Sequence, residues 1–287
     1  MKPQKTLIAG PYIGELGWEI FTWQPMIRHI WLDHDCINTI IYTGPGRKLF
    51  YRFAAEVRTL PNMPVHEAEC MAWHDMPRYV NDFKRIISQV ERVGKEEFKG
   101  NVAIFSPAHL KKLNDLALEK GFPDLFYGDP IRAEELLPGV EGAVVLCVRD
   151  RAMSDFRNWP YARWGELATT LLPHAPVVLV GQVRDRVAWS QAMPIGVIDL
   201  TGRTTLDDFI CVMGKTRLAV GGSSGALHLA SRCGVDHLVW GAQHAASRYL
   251  ETNWFGADFQ YRANDGWLPA VEDIANAVKG YLEKGEF

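Results

Sequence analysis

Leu218-Ala219-Val220-Gly221-Gly222-Ser223-Ser224-Gly225-Ala226-Leu227-His228-Leu229-Ala230 runs from an apolar strand through a Gly/Ser turn into a helix. Glycines let a backbone come close to a ligand, and the first N–H groups of a helix favour anions such as a diphosphate. Ser223, Ser224 and Gly225 are therefore candidate phosphate contacts. His228, one turn into the helix, is placed to lean toward the same ligand. A plainer reading is equally open, with Ser223 and Ser224 serving as N-caps and His228 packed against another domain.

Outward from this turn the pattern is regular. Strands are expected at 143–148, 177–180, 197–200, 217–220 and 237–240. They alternate with helices at 162–172, 186–191, 206–213 and 226–233, and a final helix is expected at 270–282. Apolar strands alternating with short helices predict an α/β fold whose parallel strands are covered on both faces. The earlier half reads less clearly. Strands are expected at 6–9, 37–42 and 102–105, and helices start near Trp18 and cover 82–93 and 109–120. An amphipathic stretch runs from 48 to 57, and 61–77 has no clear pattern. Leu137-Pro138-Gly139 and Glu141-Gly142 punctuate the chain before its clearest region. The expected organisation is an N-terminal domain over 1–140, a C-terminal domain over 141–269, and a helix in 270–287 packing back across both.

The 287 residues suffice for two domains of ordinary size. With 47% apolar and 23% charged residues the composition is globular. Lys and Arg number 31 against 34 Asp and Glu, so no global field draws in nucleic acid. The five cysteines form no CxxC pair, which reads as reduced thiols in a cytoplasmic protein. No stretch has the apolar length of a membrane span, although peripheral contact with a membrane stays open.

Two more segments accompany the turn. Arg157-Asn158-Trp159-Pro160 precedes a helix, and Leu200-Thr201-Gly202-Arg203-Thr204-Thr205-Leu206 precedes the turn by about 20 residues. In this order the three elements resemble the heptosyltransferases, the ADP-heptose transferases of lipopolysaccharide assembly. That family shows a basic-Trp-Pro element, a Leu-x-Gly-x-Thr-Ser-Leu turn, and Gly-Asn-Asp-Ser-Gly-x-x-His before a helix. The resemblance covers roughly 144–282. It implies the GT-B fold, two Rossmann-like domains facing a cleft, with the donor held by Arg157, Thr201, Gly202, Thr204, Ser223, Ser224, Gly225 and His228. Here the family's Asn-Asp pair is Gly222-Ser223, which removes a carboxylate from the donor site. Trp240-Gly241 stands in place of the family's Phe-Gly turn.

The family's first strand ends in a Gly-Asp loop bearing the catalytic base. Gly14-Glu15 falls at that place, so the resemblance makes Glu15 the base, with Glu19 as its substitute. An inverting transfer needs such a carboxylate to take the acceptor's proton while the diphosphate leaves from the opposite face. Helix N–H groups, Arg, Ser and Thr can meet the leaving group's charge. No Asp-x-Asp element is present to hold a metal.

Arg149 and Arg151 follow the strand at 143–148. In a doubly wound domain that position lines the ligand crevice, and each guanidinium can grip a diphosphate. The alternative is a surface network with Asp150 and Asp155. Gly181-Gln182, after the next strand, can approach the donor's base or ribose. In the N-terminal half, Arg47, Lys48 and Arg52 interleave with Leu49, Phe50, Tyr51 and Phe53. This patch suits an anionic acceptor, or else it is a set of solvated charges over a buried aromatic stripe.

The expected activity is an inverting, metal-independent glycosyl transfer from a nucleotide sugar, a co-substrate rather than a bound cofactor. The acceptor is a glycan, a lipid-linked saccharide of lipopolysaccharide type, or a modified base of phage DNA. A sugar-nucleotide epimerase and a non-catalytic nucleotide-sugar-binding protein are the alternatives of other classes. The absence of GxGxxG after the first strand argues against a dinucleotide oxidoreductase.

Overall fold

A computed structural model of the chain describes residues 5–12, 16–33, 38–60, 80–98, 102–105, 139–152, 154–246, 249, 257–263 and 266–287. The chain divides into two compact units, Met1–Phe122 and Pro123–Phe287.

In the first unit, β1 (Thr6–Ala9), β2 (Asn38–Thr43), β3 (Glu56–Thr59) and β4 (Val102–Phe105) form a parallel sheet in the order β3-β2-β1-β4. Leu7, Ile8 and Ala9 of β1 are buried, as expected for a central strand between helices. A single π turn, Glu19–Trp23, leads into α1 (Gln24–Asp33). α2 (Val80–Glu97) lays Val90 against Ile8, Ile40 and Tyr42. It is longer at both ends than the stretch its apolar spacing marks.

The amphipathic stretch at 48–57 is not one element. It is a 3₁₀ turn, Lys48–Tyr51, followed by the start of β3. β3 has only Val57 as an apolar residue, so its sequence carries little strand signal. It exists by pairing with β2, and Arg58, paired with Glu56 in the same strand (2.8 Å), ties it to α2 through an ion pair to Glu97 (2.6 Å). The helix expected at 109–120 lies outside the described residues.

The second unit is built on β5 (Val144–Val148), β6 (Val177–Gly181), β7 (Ile198–Asp199), β8 (Leu218–Gly222), β9 (His237–Trp240) and β10 (Phe259–Arg262). All are parallel, in the order β10-β9-β8-β5-β6-β7. Between them run α3 (Tyr161–Leu171), α4 (Arg186–Ala192), α5 (Leu206–Met213) and α6 (Gly225–Arg232), and α7 (Val271–Lys284) closes the unit. Every residue of β5 is buried. Thr205 and Asp208 begin α5 with a reciprocal capping box.

α7 packs on α3 and contributes Val271, Ile274, Ala275, Val278 and Tyr281 to the same core. Beside them Trp159, Trp164 and Trp240 cluster, with ring centroids 4.9 to 5.7 Å apart. β10 has no counterpart in the sequence expectation. Its four residues are all half-buried, so a sheet edge gives it no apolar run to betray it.

The chain moves from β5 outward to β6 and β7, then returns across β5 to lay down β8, β9 and β10. That reversal puts a topological switch point between the C-terminal ends of β5 and β8, where open α/β sheets bind their ligands.

β9 opens with a buried histidine. The ring of His237 stacks on Phe259 at 5.5 Å, and its Nδ1 lies 2.8 Å from the Val235 carbonyl. Burial holds the imidazole below the usual histidine range, against the opposing pull of the Val235 carbonyl, Asp236 and Asp258. The unfolded chain therefore takes up this proton more readily than the folded one. Stability is complete above the unfolded value of about 6.5 and is lost as pH falls from there through the lower folded value. Melting temperature recorded between about pH 5 and 8 is expected to fall on acidification less steeply in His237→Phe than in the parent. Parallel curves would remove His237 as the cause.

Candidate functional site

At the switch point the sequence motifs come together, though not all in the manner expected. β8 extends through Gly221 and Gly222, so these glycines are strand residues rather than turn residues. Their bareness serves the sheet. A Cβ on Gly221 would lie 2.9 Å from the Cys147 carbonyl oxygen, and one on Gly222 would lie 3.3 Å from Trp240 Nε1. The turn itself is Ser223-Ser224. Ser224 holds the N-cap position of α6 in extended backbone, with no capping bond from its side chain. Ser223 is buried, and its N–H donates to the Trp240 carbonyl at 2.8 Å. The α6 N–H groups of Gly225 and Ala226 have no intrahelical partner, as at any helix start.

A tyrosine that the sequence did not single out organises this turn. The Ser224 N–H donates to the Tyr249 hydroxyl at 3.1 Å, and that hydroxyl donates to Ser223 Oγ at 3.2 Å. The Tyr249 ring stacks on His228, centroids 4.4 Å apart and planes within 10°. Burial pushes the phenol's pKa up, so it stays protonated. His228 is itself buried. Gly241, at the end of β9, lets two more rings approach, since a Cβ there would sit 2.6 Å from the Tyr261 hydroxyl and 2.9 Å from Trp267.

Arg157 reaches the turn from the β5 side. Its guanidinium donates to the Ser223 carbonyl and lies over the Trp267 ring, 4.0 Å from the centroid. Arg149 is buried and spans its own loop, donating to the Ser154 carbonyl (3.1 Å) and to Asn158 Oδ1. Asn158 also accepts from the Arg151 N–H (3.2 Å) and donates to the Arg151 carbonyl (2.8 Å). The asparagine of the Arg-Asn-Trp-Pro element thus folds the 149–158 loop, and Trp159 anchors it by donating to the Pro269 carbonyl at 3.2 Å.

The Arg–Asp network that the sequence allowed is present with a different arginine. Asp150 accepts from the Tyr161 hydroxyl, the Arg184 N–H (2.7 Å) and Arg184 Nε (2.7 Å). Burial opposes ionisation of Asp150, but these bonds together hold its pKa below the ordinary carboxylate range.

Gly181 adopts φ +115°, and a Cβ there would meet the Val148 carbonyl oxygen at 2.2 Å. Its carbonyl accepts from the Gly202 N–H at 2.7 Å. Gln182 Oε1 would be 3.7 Å from a Cβ on Gly202, so the loops after β6 and β7 lie side by side. Thr201 is buried and bonded to Asp199 (2.5 Å) and to the Arg186 guanidinium, which fixes the loop's shape. Thr204 is half-buried beside the α5 cap.

In the first unit Glu15 lies outside the described residues. Glu19 is fully buried, one carboxylate oxygen taken by Arg47 and the other by the Tyr51 hydroxyl at 2.6 Å. Burial raises its pKa, against the attraction of Arg47. Arg47 is thereby committed to an internal ion pair, whereas Lys48 and Arg52 are exposed over buried Phe50 and Tyr51. Among the described residues no group of three or more His, Cys, Asp or Glu could hold a metal ion, and no helix is long and apolar enough to cross a membrane.

The family model for glycosyltransferase family 9 (heptosyltransferase) matches residues 83–235. No curated protein sequence matches the chain. Among solved structures it is similar to the ADP-heptose lipopolysaccharide heptosyltransferase II of E. coli, with a TM-score of 0.66 and 15% identity over 98% of this chain and 99% of that one. A family 9 glycosyl transferase of Veillonella parvula gives 0.64 and 11% over 99% of both chains. The E. coli heptosyltransferase WaaC with ADP gives 0.59 and 13% over 98% and 99%. The fold these structures share is the expected α/β GT-B class.

Proposed function

From the chain's membership of glycosyltransferase family 9 (heptosyltransferase), we propose an inverting, metal-independent transfer whose nucleotide-sugar donor is held at the C-terminal ends of β5 and β8. One observation carries the placement: the Ser223-Ser224 turn, the start of α6 and Arg157 converge where the strand order reverses. There the Gly225 and Ala226 N–H groups and the Arg157 guanidinium meet the diphosphate and stabilise it as it leaves. Arg149 shapes the loop that carries Arg157, while Gln182, Gly202 and Thr204 face the donor's nucleoside end. Glu15 takes the proton of the acceptor hydroxyl, and the buried Glu19–Arg47 pair braces the segment that follows it. The acceptor is a saccharide of lipopolysaccharide type, in keeping with what the E. coli neighbour acts on, and exposed Lys48 and Arg52 suit its anionic groups.

Calorimetry with ADP, GDP, UDP and CDP tests the placement. One of them is expected to bind the parent, and Arg157→Ala to weaken it by roughly 10- to 100-fold, the loss of a charged hydrogen bond. Equal affinities in parent and variant would move the diphosphate away from this turn.

A further inference from the structure

We infer that Tyr249 is a positioning residue of the donor turn, fixing through its hydroxyl the backbone of Ser223 and Ser224 and through its ring the imidazole of His228. The inference rests on the donor placement proposed above and adds a residue that no motif contains.

The turn has two kinds of polar group to orient. The N–H groups at the start of α6 must converge on one point to hold an anion, and their directions follow from the backbone of the two residues before them. That backbone is pinned on one side by Arg157 at the Ser223 carbonyl and on the other by Tyr249 at the Ser224 N–H. With its own N–H given to the phenol at 3.1 Å, Ser224 leaves the anion to Gly225 and Ala226. The phenol's proton faces Ser223 Oγ at 3.2 Å and the Ser224 carbonyl at 3.5 Å, which ties both serines to the one side chain. The flat stack on His228, at 4.4 Å and 10°, sets the plane of the imidazole.

The arrangement also accounts for the local sequence. Ser223 stands where the related pattern has an aspartate, and a carboxylate there would need charged donors. A serine facing a buried neutral phenol is a self-satisfied pair. The turn is therefore neutral apart from Arg157, and its geometry is secured by an aromatic residue that sits 26 positions away in the chain.

Tyr249→Phe removes the hydroxyl and keeps the ring. Its expected effect is a roughly 5- to 10-fold rise in nucleoside diphosphate Kd, the worth of about one hydrogen bond, with donor KM rising in parallel and kcat within about twofold. Ser224→Asp, which sets a carboxylate against the diphosphate, is expected to abolish nucleotide binding. If Ser224→Asp loses the nucleotide while Tyr249→Phe binds as the parent does, changing only its melting temperature, Tyr249 is purely structural and this inference fails alone. Tighter binding by Tyr249→Phe would overturn it too, since the hydroxyl would then compete with the donor for the Ser224 N–H. If Ser224→Asp binds normally, or none of the four nucleoside diphosphates binds the parent, the donor placement falls and takes Tyr249 with it.

Discussion

Glu15→Gln is expected to lower kcat by about two to four orders of magnitude, the usual contribution of a general base, and to leave nucleotide affinity unchanged. The amide keeps the size of the side chain but cannot accept the acceptor's proton. Donor binding depends on other residues, so Kd and kcat separate. Glu19→Gln provides the contrast. Its carboxylate is spent on Arg47 and Tyr51 inside the fold, and neutralising one partner of a buried pair costs about 3–5 kcal/mol of stability. That variant should melt early. Single-turnover kinetics beside thermal melts decides the matter, and undiminished turnover in a folded Glu15→Gln protein would assign the base to another group.

Gly181→Ala is expected to cost about 2–5 kcal/mol, adding left-handed backbone strain to overpacking. The new methyl would be driven into the Val148 carbonyl oxygen, 2.2 Å from its ideal position. Because that oxygen belongs to the central strand, relief requires β5 and β6 to separate. Chemical denaturation should report a lower midpoint with an unchanged slope. A loss below about 1 kcal/mol would show that the strands yield more readily than a close-packed interior does.

These two residues show what the sequence discloses. The C-terminal sheet is legible because β5, β6, β8 and β9 are short apolar runs between helices, a pattern imposed by burial on both faces. Alternation with helices makes the strands parallel, but the return across β5 to β8 is visible only in the fold. Glycine at 181 has a structural duty that its local sequence does not show. Read as an approach to the donor, it answers first to a neighbouring strand, and only the register of Val148 with Gly181 reveals this. The same holds for Gly221 and Gly222. Polar commitments were harder still. Arg47 is paired with Glu19 and Arg149 with Asn158, bonds that no local motif announces. Tyr249, Trp267 and Arg186 belong to no local motif, and their importance exists only across long sequence separations. β3 and β10 carry little sequence signal because an edge strand needs a partner more than it needs hydrophobicity.

The seam between Trp159 and Pro269, 110 positions apart, has a consequence for how the second unit comes into being. Residues are synthesised from the N-terminus, and domains fold as units once their parts exist. α3, Trp159 and Trp164 are made early, yet the helix that packs on them, α7, is made last. During elongation a broad aromatic surface waits without its lid, the sort of surface that aggregates or recruits a chaperone. Trp267, the ring under Arg157, belongs to that same final stretch. This core should thus close only once α7 has left the ribosome.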